Sequence, residues 1–530
     1  MNFHYKAFIA VIVITALVFI VLKPLFLRLM GEEDFALRRN LWLYLTVTAF
    51  LSPDYWLFFF LAVPALVYAA RKDSNPAALY LFLLLAVPPV QKAIPTLGLI
   101  GQVFDMDHLR VMSLTVLLPT AIALSTRKNV AASVVARGSR TGLTTPDMLV
   151  LGFALVQLVV QVPHESLTNS MRRLLLMGLD LLLPYFVLSR GCRTLGQVKE
   201  AVGALAAAAI VLCLPALLEM FWASMLFGEF EQRWGSPMMY LPLYRGELLR
   251  AQATAGHSIV FGNFCAIALC AWWTVKSDVA NKTVRTTGGL LVLGALFASL
   301  ARGPWLGAFV GALTIAAIGR GSKRGMFKAA IVAAVIVLTF LNTPYGDSVI
   351  QYVPFLGTAE SDSVTYRQRL LELSLTLIAD NPFFGTPGFI QYMESLRQGQ
   401  GIIDLVNGHM TIALSFGLVG LALYLGIFGV VVWRCAIRPL NARDEQWRHV
   451  GVGIGAAIVT AMVILFTASN YLSVTYLYWS LAGLGCGLMR LPMAAPAAVK
   501  LQEAVSASHQ RGFGRGAAGR NRSKWAARAP

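Results

Sequence analysis

Charge is what this chain has least of. Of its 530 residues, 13% are Asp, Glu, Lys or Arg and 57% are hydrophobic, whereas soluble globular proteins average about 25% charged residues. That depletion, with many apolar runs of helix-spanning length, excludes an ordinary soluble domain and points to an all-α polytopic membrane protein. Cysteine is scarce too. Cys192, Cys213, Cys265, Cys270, Cys435 and Cys486 lie in or beside apolar runs without a CxxC pair. This argues against a disulfide framework or a zinc site and leaves them as small apolar fillers. No HExxH, GxSxG, Walker-type loop or GxGxxG in suitable context occurs, and no internal repeat or heptad run, so the familiar soluble hydrolase and nucleotide-binding signatures are missing.

Basic residues are plentiful by comparison: 44 Lys and Arg against 26 Asp and Glu, a formal charge of +18. Their distribution excludes a nucleic-acid surface, because they fall mostly in short loops and the tail and alternate along the chain as the positive-inside rule requires. Periodicity and run length place about fourteen transmembrane helices, over 7–27, 42–70, 77–90, 110–125, 147–162, 173–189, 200–222, 258–275, 287–301, 304–319, 327–342, 410–433, 450–469 and 471–489. The first run lacks a small-residue cleavage site and reads as an uncleaved span. The second is interrupted by LSPDYW, a break tolerable only where protein or a cavity covers the freed backbone.

Five basic loops fall on one side with both termini: those holding Arg127 to Arg140, Arg190 to Lys199, Lys276 to Arg285, Arg320 to Lys328 and Arg434 to Arg448. That side is the expected cytoplasm. Arg38, Arg39, Arg172 and Arg173 fall outside and run against the scheme. The longest polar interval, 343–409, lies opposite. It contains no lysine, and seven carboxylates (Asp347, Glu360, Asp362, Glu372, Asp380, Glu394, Asp404) outnumber Arg367, Arg369 and Arg397. Within it, Tyr366 to Ile378 has the pattern of an amphipathic helix ended by the turn signals DNP and FFGTPG. It would lie on the membrane or close over the protein as a lid. The organisation is thus N-terminal transmembrane helices (1–245), a central region (246–435) holding the outer loop, C-terminal helices (436–490) and a Gly-, Ala- and Arg-rich tail (491–530). The tail is expected to be cytoplasmic and either to touch anionic membrane lipids or only to solubilise.

Four outer stretches could carry chemistry. Arg302 in ASLARGPWLG sits in a very short turn between two apolar helices, where a guanidinium must pair, meet an anion or snorkel to headgroup phosphates. Arg250 precedes AQATAGHSIVFGNF in a longer, wetter loop; together the two could clamp a diphosphate. His257 opens the next helix and either joins the site or caps the helix. His409, in NGH at the mouth of an apolar run, is a candidate general base or a plain interfacial residue. Arg367 and Arg369 begin the amphipathic helix and face headgroups or substrate. Asp105 and Asp107 in FDMDH resemble an acidic metal-binding pair, a frequent accident. Asp180 within a span marks an ion path or bonds a neighbouring helix.

In combination, ASLARGPWLG, RQRLLELSLTLIADNPFFGTPGF and GHMTIALSFGLVGLALYL resemble the ordered blocks of the O-antigen ligase/polymerase superfamily of bacterial envelope enzymes, over roughly 250–435. The resemblance implies a GT-C-like, inverting, metal-independent glycosyltransferase of the inner membrane with its active site on the periplasmic face. It needs no cofactor and takes an undecaprenyl-diphosphate-linked glycan as donor. The acceptor is lipid A–core in a ligase or another lipid-linked glycan in a polymerase, a choice these residues leave open. By the same resemblance, Arg250 and Arg302 would hold the diphosphate, His409 would be the base, and Arg367 or Arg369 the loop arginine. Two positions depart from the family pattern. Met410 stands where Asn commonly follows the histidine, and Ala301 where Ser precedes the arginine. A secondary transporter or flippase is the alternative, but it predicts repeat symmetry and paired broken helices that the sequence does not show. A non-catalytic assembly scaffold is a third.

Overall fold

The computed structural model describes residues 3–88, 90–95, 102–131, 142–235, 241–319, 361–397, 403, 405, 407–441, 444–468 and 472–493. These are almost wholly helical, with two short antiparallel hairpins. Nine helices among them are long and apolar enough to cross a membrane, so the chain is an all-α polytopic integral membrane protein. The expected span at 327–342, the start of the outer loop and the basic tail lie outside the described residues.

The break at LSPDYW is present. After α1 (Phe3–Val21), helix α2 (Glu32–Leu51) stops and α3 (Tyr55–Lys72) starts on an Asp54 cap, whose carboxylate accepts the Trp56 and Leu57 N–H groups. The third expected span is corrected: α4 (Pro76–Leu83) is a buried two-turn helix, followed by a hairpin of Lys92–Pro95 with Gln102–Met106. A span over His108–Thr126 follows, and then α5 (Thr145–Gln161), α6 (Leu167–Met177), α7 (Leu183–Gly191) and the long α8 (Leu195–Trp222). The centre of the bundle is α8 with α9 (Ser258–Val275) and, further on, α14 (Glu445–Leu465). The alanine run 206–209 in α8 is fully buried, and small side chains let apolar helices approach closely. All six cysteines are buried thiols.

Contacts put the basic loop ends together. The Asp147 carboxylate takes both Arg190 (3.3 Å) and Arg490 (2.5 Å), Lys199 meets Asp278 (2.6 Å), and His449 Nε2 bonds the Thr274 carbonyl at the same end of α9. The arginines that ran against the charge rule are not loop residues. Arg38 is fully buried inside α2, in ion pairs with Asp73 (2.7 Å) and Glu200 (2.7 Å), while Arg172 and Arg173 lie in α6, Arg173 paired with Glu165. The Arg38 charge, neutralised inside the bundle, carries no weight in a rule about loop charge, while Arg39 and Arg172 still run against it.

At the opposite end, α10 (Lys282–Ala298) and α11 (Arg302–Ile318) meet in a tight turn. The amphipathic helix is α12 (Ser361–Asp380). Its Leu370 packs with Phe389, Met393, Leu396 and Leu414, while Leu371 and Leu375 remain exposed. One face therefore packs onto the protein and another is exposed.

The expected single span at 410–433 is corrected as well. In α13 (Gly408–Val432), Gly417 is non-helical at φ 65°, ψ −169°. The His409 and Tyr424 rings are 5.9 Å apart, yet in a straight helix their positions would be separated by about 22 Å. The segment before Gly417 therefore folds back on the segment after it. The reversal is clasped by the turn that ends α12: Leu418 N–H donates to the Pro382 carbonyl (2.7 Å) and Thr386 N–H to the Leu414 carbonyl (2.8 Å). Gly385 (φ 73°) and Gly417 interlock, because a Cβ on the first would lie 2.5 Å from the Leu414 oxygen and one on the second would strike the Phe383 carbonyl. The last helix is α15 (Leu472–Arg490).

Candidate functional site

Arg302 is the first residue of α11. The turn before it is built from Ser299 to Ala301: Ser299 Oγ donates to the Leu296 carbonyl (2.7 Å) and accepts the Ala301 N–H (3.4 Å). The serine two places further back thus serves the turn, and Ala301 fills the cap position without a side-chain bond. Leu300 is held at φ 45°, a left-handed conformation costing a non-glycine residue about 1–2 kcal/mol. Ala253, three residues after Arg250, has the same φ of 45°, so two of the three described non-glycine residues with positive φ flank the two arginines. Such strain persists only where the surroundings over-determine it, and it clusters at functional sites.

Arg250 reaches Arg302 through backbone. Tyr244–Arg245 and Leu248–Leu249 form a hairpin, Arg250 N–H extends it by donating to the Leu243 carbonyl (2.8 Å), and Ala251 N–H donates to the Ala298 carbonyl at the end of α10 (2.9 Å). The next two residues hang on Glu219. This fully buried carboxylate at the end of α8 accepts the N–H groups of Gln252 (2.9 Å), Ala253 (2.7 Å) and Leu226 (3.0 Å). Sequence reasoning passed over both Glu219 and Arg245. Glu219 could have been found as a carboxylate inside an apolar run, and Arg245 from the Gly246 turn that sets it across a hairpin from Arg250.

Three guanidiniums therefore lie near one another at this end of the bundle. Burial, then Arg245 and Arg302, push Arg250 down to about 10; burial and Arg302 lower Arg245. Neither Arg245 nor Arg250 forms an ion pair with a described residue, and the Arg250 Nε is buried without a hydrogen-bond partner. His257 caps α9, its Nδ1 accepting the Ile259 N–H (3.1 Å), and burial with nearby Arg250 pushes its pKa down to about 4, so the ring is neutral. It supports the site as a cap.

A depressed base pKa in the folded state has a sign. Protonated Arg250 opposes folding at every pH below about 10, and the penalty fades only as the pH rises from there toward 12.5,. Arg250→Gln is therefore expected to raise the melting temperature of the empty protein at pH 7 by a few degrees. Inorganic pyrophosphate should raise it in the wild type and much less in the variant. Differential scanning fluorimetry reads both; a lower melting temperature for Arg250→Gln would contradict the crowding.

His409 stands at the same end of the bundle. Asn407 caps its helix, accepting the His409 (3.0 Å) and Met410 (3.1 Å) N–H groups, so the asparagine before the histidine has a structural task. His409 Nε2 lies 2.9 Å from the Met462 carbonyl. That oxygen is available because α14 tightens at its end, Phe466 N–H bonding Val463 rather than Met462,. A carbonyl only accepts, so Nε2 carries the proton and Nδ1 holds the lone pair, buried and without a hydrogen-bond partner among the described residues,. The same helix end joins the two halves of the site. Gly303, beside Arg302, abuts Thr467, while Gly408 N–H donates to the Ala468 carbonyl (3.0 Å) and the His409 ring packs on Phe466 (4.2 Å).

The remaining candidates lie elsewhere. Arg369 is exposed on α12 with no ion pair or hydrogen bond to a described residue, and the Arg367 side chain lies outside the described residues. Asp107 caps a helix by accepting the Arg110 N–H (2.8 Å), and Asp180 is bound to Arg110 (2.9 Å). No group of three or more His, Cys, Asp or Glu among the described residues could hold a metal.

Fold and site together define an integral membrane protein with a cluster of arginines and a histidine at one end of its helical bundle. Residues 287–425 match the family model for O-antigen ligase, and with that match the resemblance to the O-antigen ligase/polymerase superfamily is upheld. The match covers Arg302 and His409, while Arg245, Arg250 and Glu219 precede it. No curated protein matches the chain.

Proposed function

We propose that the protein transfers a glycan from a lipid-diphosphate donor, undecaprenyl diphosphate in a bacterial envelope, to an acceptor hydroxyl at the periplasmic face of the inner membrane. The observation that carries this reading is the cluster in which Arg245 and Arg250 lie near Arg302, tied to it by the Ala251–Ala298 backbone bond, without an ion-pairing carboxylate of their own among the described residues. Crowded guanidiniums suit a diphosphate, whose planar oxygen pairs they grip in bidentate fashion. An apolar groove of about 420 Å³ begins at the Arg302 turn, with Leu293, Phe297, Trp305 and Phe309 in its walls. It offers the prenyl chain a path along the helices while the diphosphate meets the arginines.

In the proposed reaction the acceptor oxygen attacks the anomeric carbon as the bond from that carbon to the diphosphate oxygen breaks. The electron pair leaves with the lipid diphosphate, whose charge the arginines stabilise. The hydroxyl proton passes to His409 Nδ1. Attack opposite the leaving group inverts the anomeric centre. Residues 246–435, with the outer loop 343–409, form the catalytic region in this reading, and α12 closes over it. The transporter alternative has no comparable support.

The test uses purified protein in nanodiscs with a lipid-diphosphate-linked oligosaccharide, offered either lipid A–core or more lipid-linked oligosaccharide as acceptor. Release of lipid diphosphate that requires one acceptor, and that falls about 10²–10³-fold in Arg302→Ala, is the expected result. Dependence on lipid A–core would make it a ligase and dependence on the second acceptor a polymerase. Undiminished release by Arg302→Ala would overturn the assignment.

A further inference from the structure

A recess adjoins the histidine hairpin, bounded by α5, α6, α13 and α15 rather than by the elements that carry Arg245, Arg250 and Arg302. Its volume, about 490 Å³, lies within the roughly 300–1,000 Å³ of small-molecule sites. Five rings line it, Phe153, Phe416, Tyr424, Tyr478 and Trp479: Phe153 lies 5.6 Å from Tyr424 and 6.0 Å from Trp479, and Tyr424 lies 6.1 Å from Trp479. Gln157, Asn169 and Asp180 supply polar groups. Tyr424 is the residue whose ring meets His409 at 5.9 Å, and Ile412 in the same wall is one helical turn from the histidine.

The floor is built with buried charge that an apolar bundle does not need. Asp180 lies in a π-helical turn, Gly178–Leu182, a widened geometry frequent at functional sites,. Its carboxylate is held by Arg110 (2.9 Å) and by the Tyr476 hydroxyl, which donates to it. Arg110 is fixed in turn: its N–H is accepted by Asp107 (2.8 Å), and its guanidinium donates to the Asp105 carbonyl. The three carboxylate residues conspicuous in the sequence thus serve one construction. Charged groups inside a membrane bundle that pair and face a cavity mark a path for a polar ligand.

The chemistry of the walls selects among polar ligands. Arg173 is matched by Glu165 and Asp180 by Arg110, and Arg172 lines the wall with its guanidinium donating to the Asn169 amide oxygen (3.2 Å), unlike the crowded arginines near Arg302. Aromatic faces beside amide and carboxylate groups fit a ring with apolar C–H faces and a hydroxylated rim. We infer that this recess holds the terminal sugar of the acceptor glycan and presents its hydroxyl toward His409 Nδ1. The inference rests on the glycosyl-transfer reading and adds to it a second, separate saccharide site.

The probes are two oligosaccharides stripped of lipid, lipopolysaccharide core and the repeat unit, each added to the full chain in nanodiscs. Saturation-transfer NMR reads sugar contact, and the acceptor KM is measured in parallel. The wild type is expected to saturate ring protons of one probe, which identifies the acceptor source. Gln157→Trp, filling the recess, is expected to weaken that signal and raise the acceptor KM at least about tenfold, with the donor KM within about twofold. Asn169→Ala, at an exposed position and so not prone to misfolding, should move both the same way by about threefold. Arg302→Ala should lose transfer yet keep the sugar signal, so failure of the donor assignment and failure of this site are told apart. Unchanged signal and acceptor KM in both recess variants, or transfer without contact from either probe, would overturn the inference.

Discussion

His409→Ala is expected to slow glycan transfer by about 10²–10⁴-fold while leaving donor affinity within about twofold. The separation follows from geometry. The Nε2 proton is committed to the Met462 carbonyl at 2.9 Å, which leaves Nδ1 as the only ring atom able to take a proton. The arginines that would grip the donor sit on other elements, so removing the imidazole should leave the diphosphate held but the acceptor hydroxyl unactivated. His409→Gln sharpens the test, because its amide N–H can still donate to Met462 while its side chain is no base. Single-turnover rates with donor already bound would settle the matter: a Gln variant near wild-type speed removes His409 from the chemistry and leaves it as a hinge of the hairpin.

Gly417→Ala should be the most damaging change outside the polar residues. At φ 65°, ψ −169° the backbone occupies a region essentially reserved for glycine, with a strain of about 1–3 kcal/mol for any other residue. The new Cβ would also strike the Phe383 carbonyl, and overpacking adds about 1–3 kcal/mol. Either the hairpin straightens, carrying His409 away from Met462, or α12 and its terminal turn release. Detergent-solubilised Gly417→Ala should lose its folded fraction by size exclusion and fluorimetry. Whatever folds should be cleaved faster near 382–386, where the clasp has opened. A folded, protease-resistant and active variant would mean that the reversal at Gly417 is not needed.

The two glycines show what a sequence can reveal of this site. The NPFFGTPGF and GHMTIALSFGLVG blocks were visible as motifs, but as separate ones. That Gly385 and Gly417 bear on each other's backbone is a fact about chain reversal, and hydropathy reports only that residues 410–433 are apolar. The run was therefore read as one straight span. Similarly, α4 was read as a full span because burial inside a bundle and burial in lipid select the same residues. The arginines were legible individually, since charge is conspicuous where charge is scarce. Arg245 was not, because in a loop already holding Arg233 and Arg250 its position across a hairpin is invisible until the strands pair.

By itself, composition determined that this is a helical membrane protein: backbone polar groups in lipid must be satisfied within each segment, and long apolar runs allow helices. The order of its motifs determined the O-antigen ligase resemblance, and charge bias determined only which loops are expected to share a side. Tertiary structure alone decided that Arg250 lies beside Arg302, that Glu219 anchors the intervening chain, and that His409 is turned back against α14 with Nδ1 as its free nitrogen. The physical reason is one of range. Solvation and local periodicity act on neighbours in the chain and leave their mark in composition. Coulomb repulsion among three half-buried guanidiniums links residues up to 57 positions apart, and the helix end shared by Arg302 and His409 links residues 107 apart; only packing brings them together.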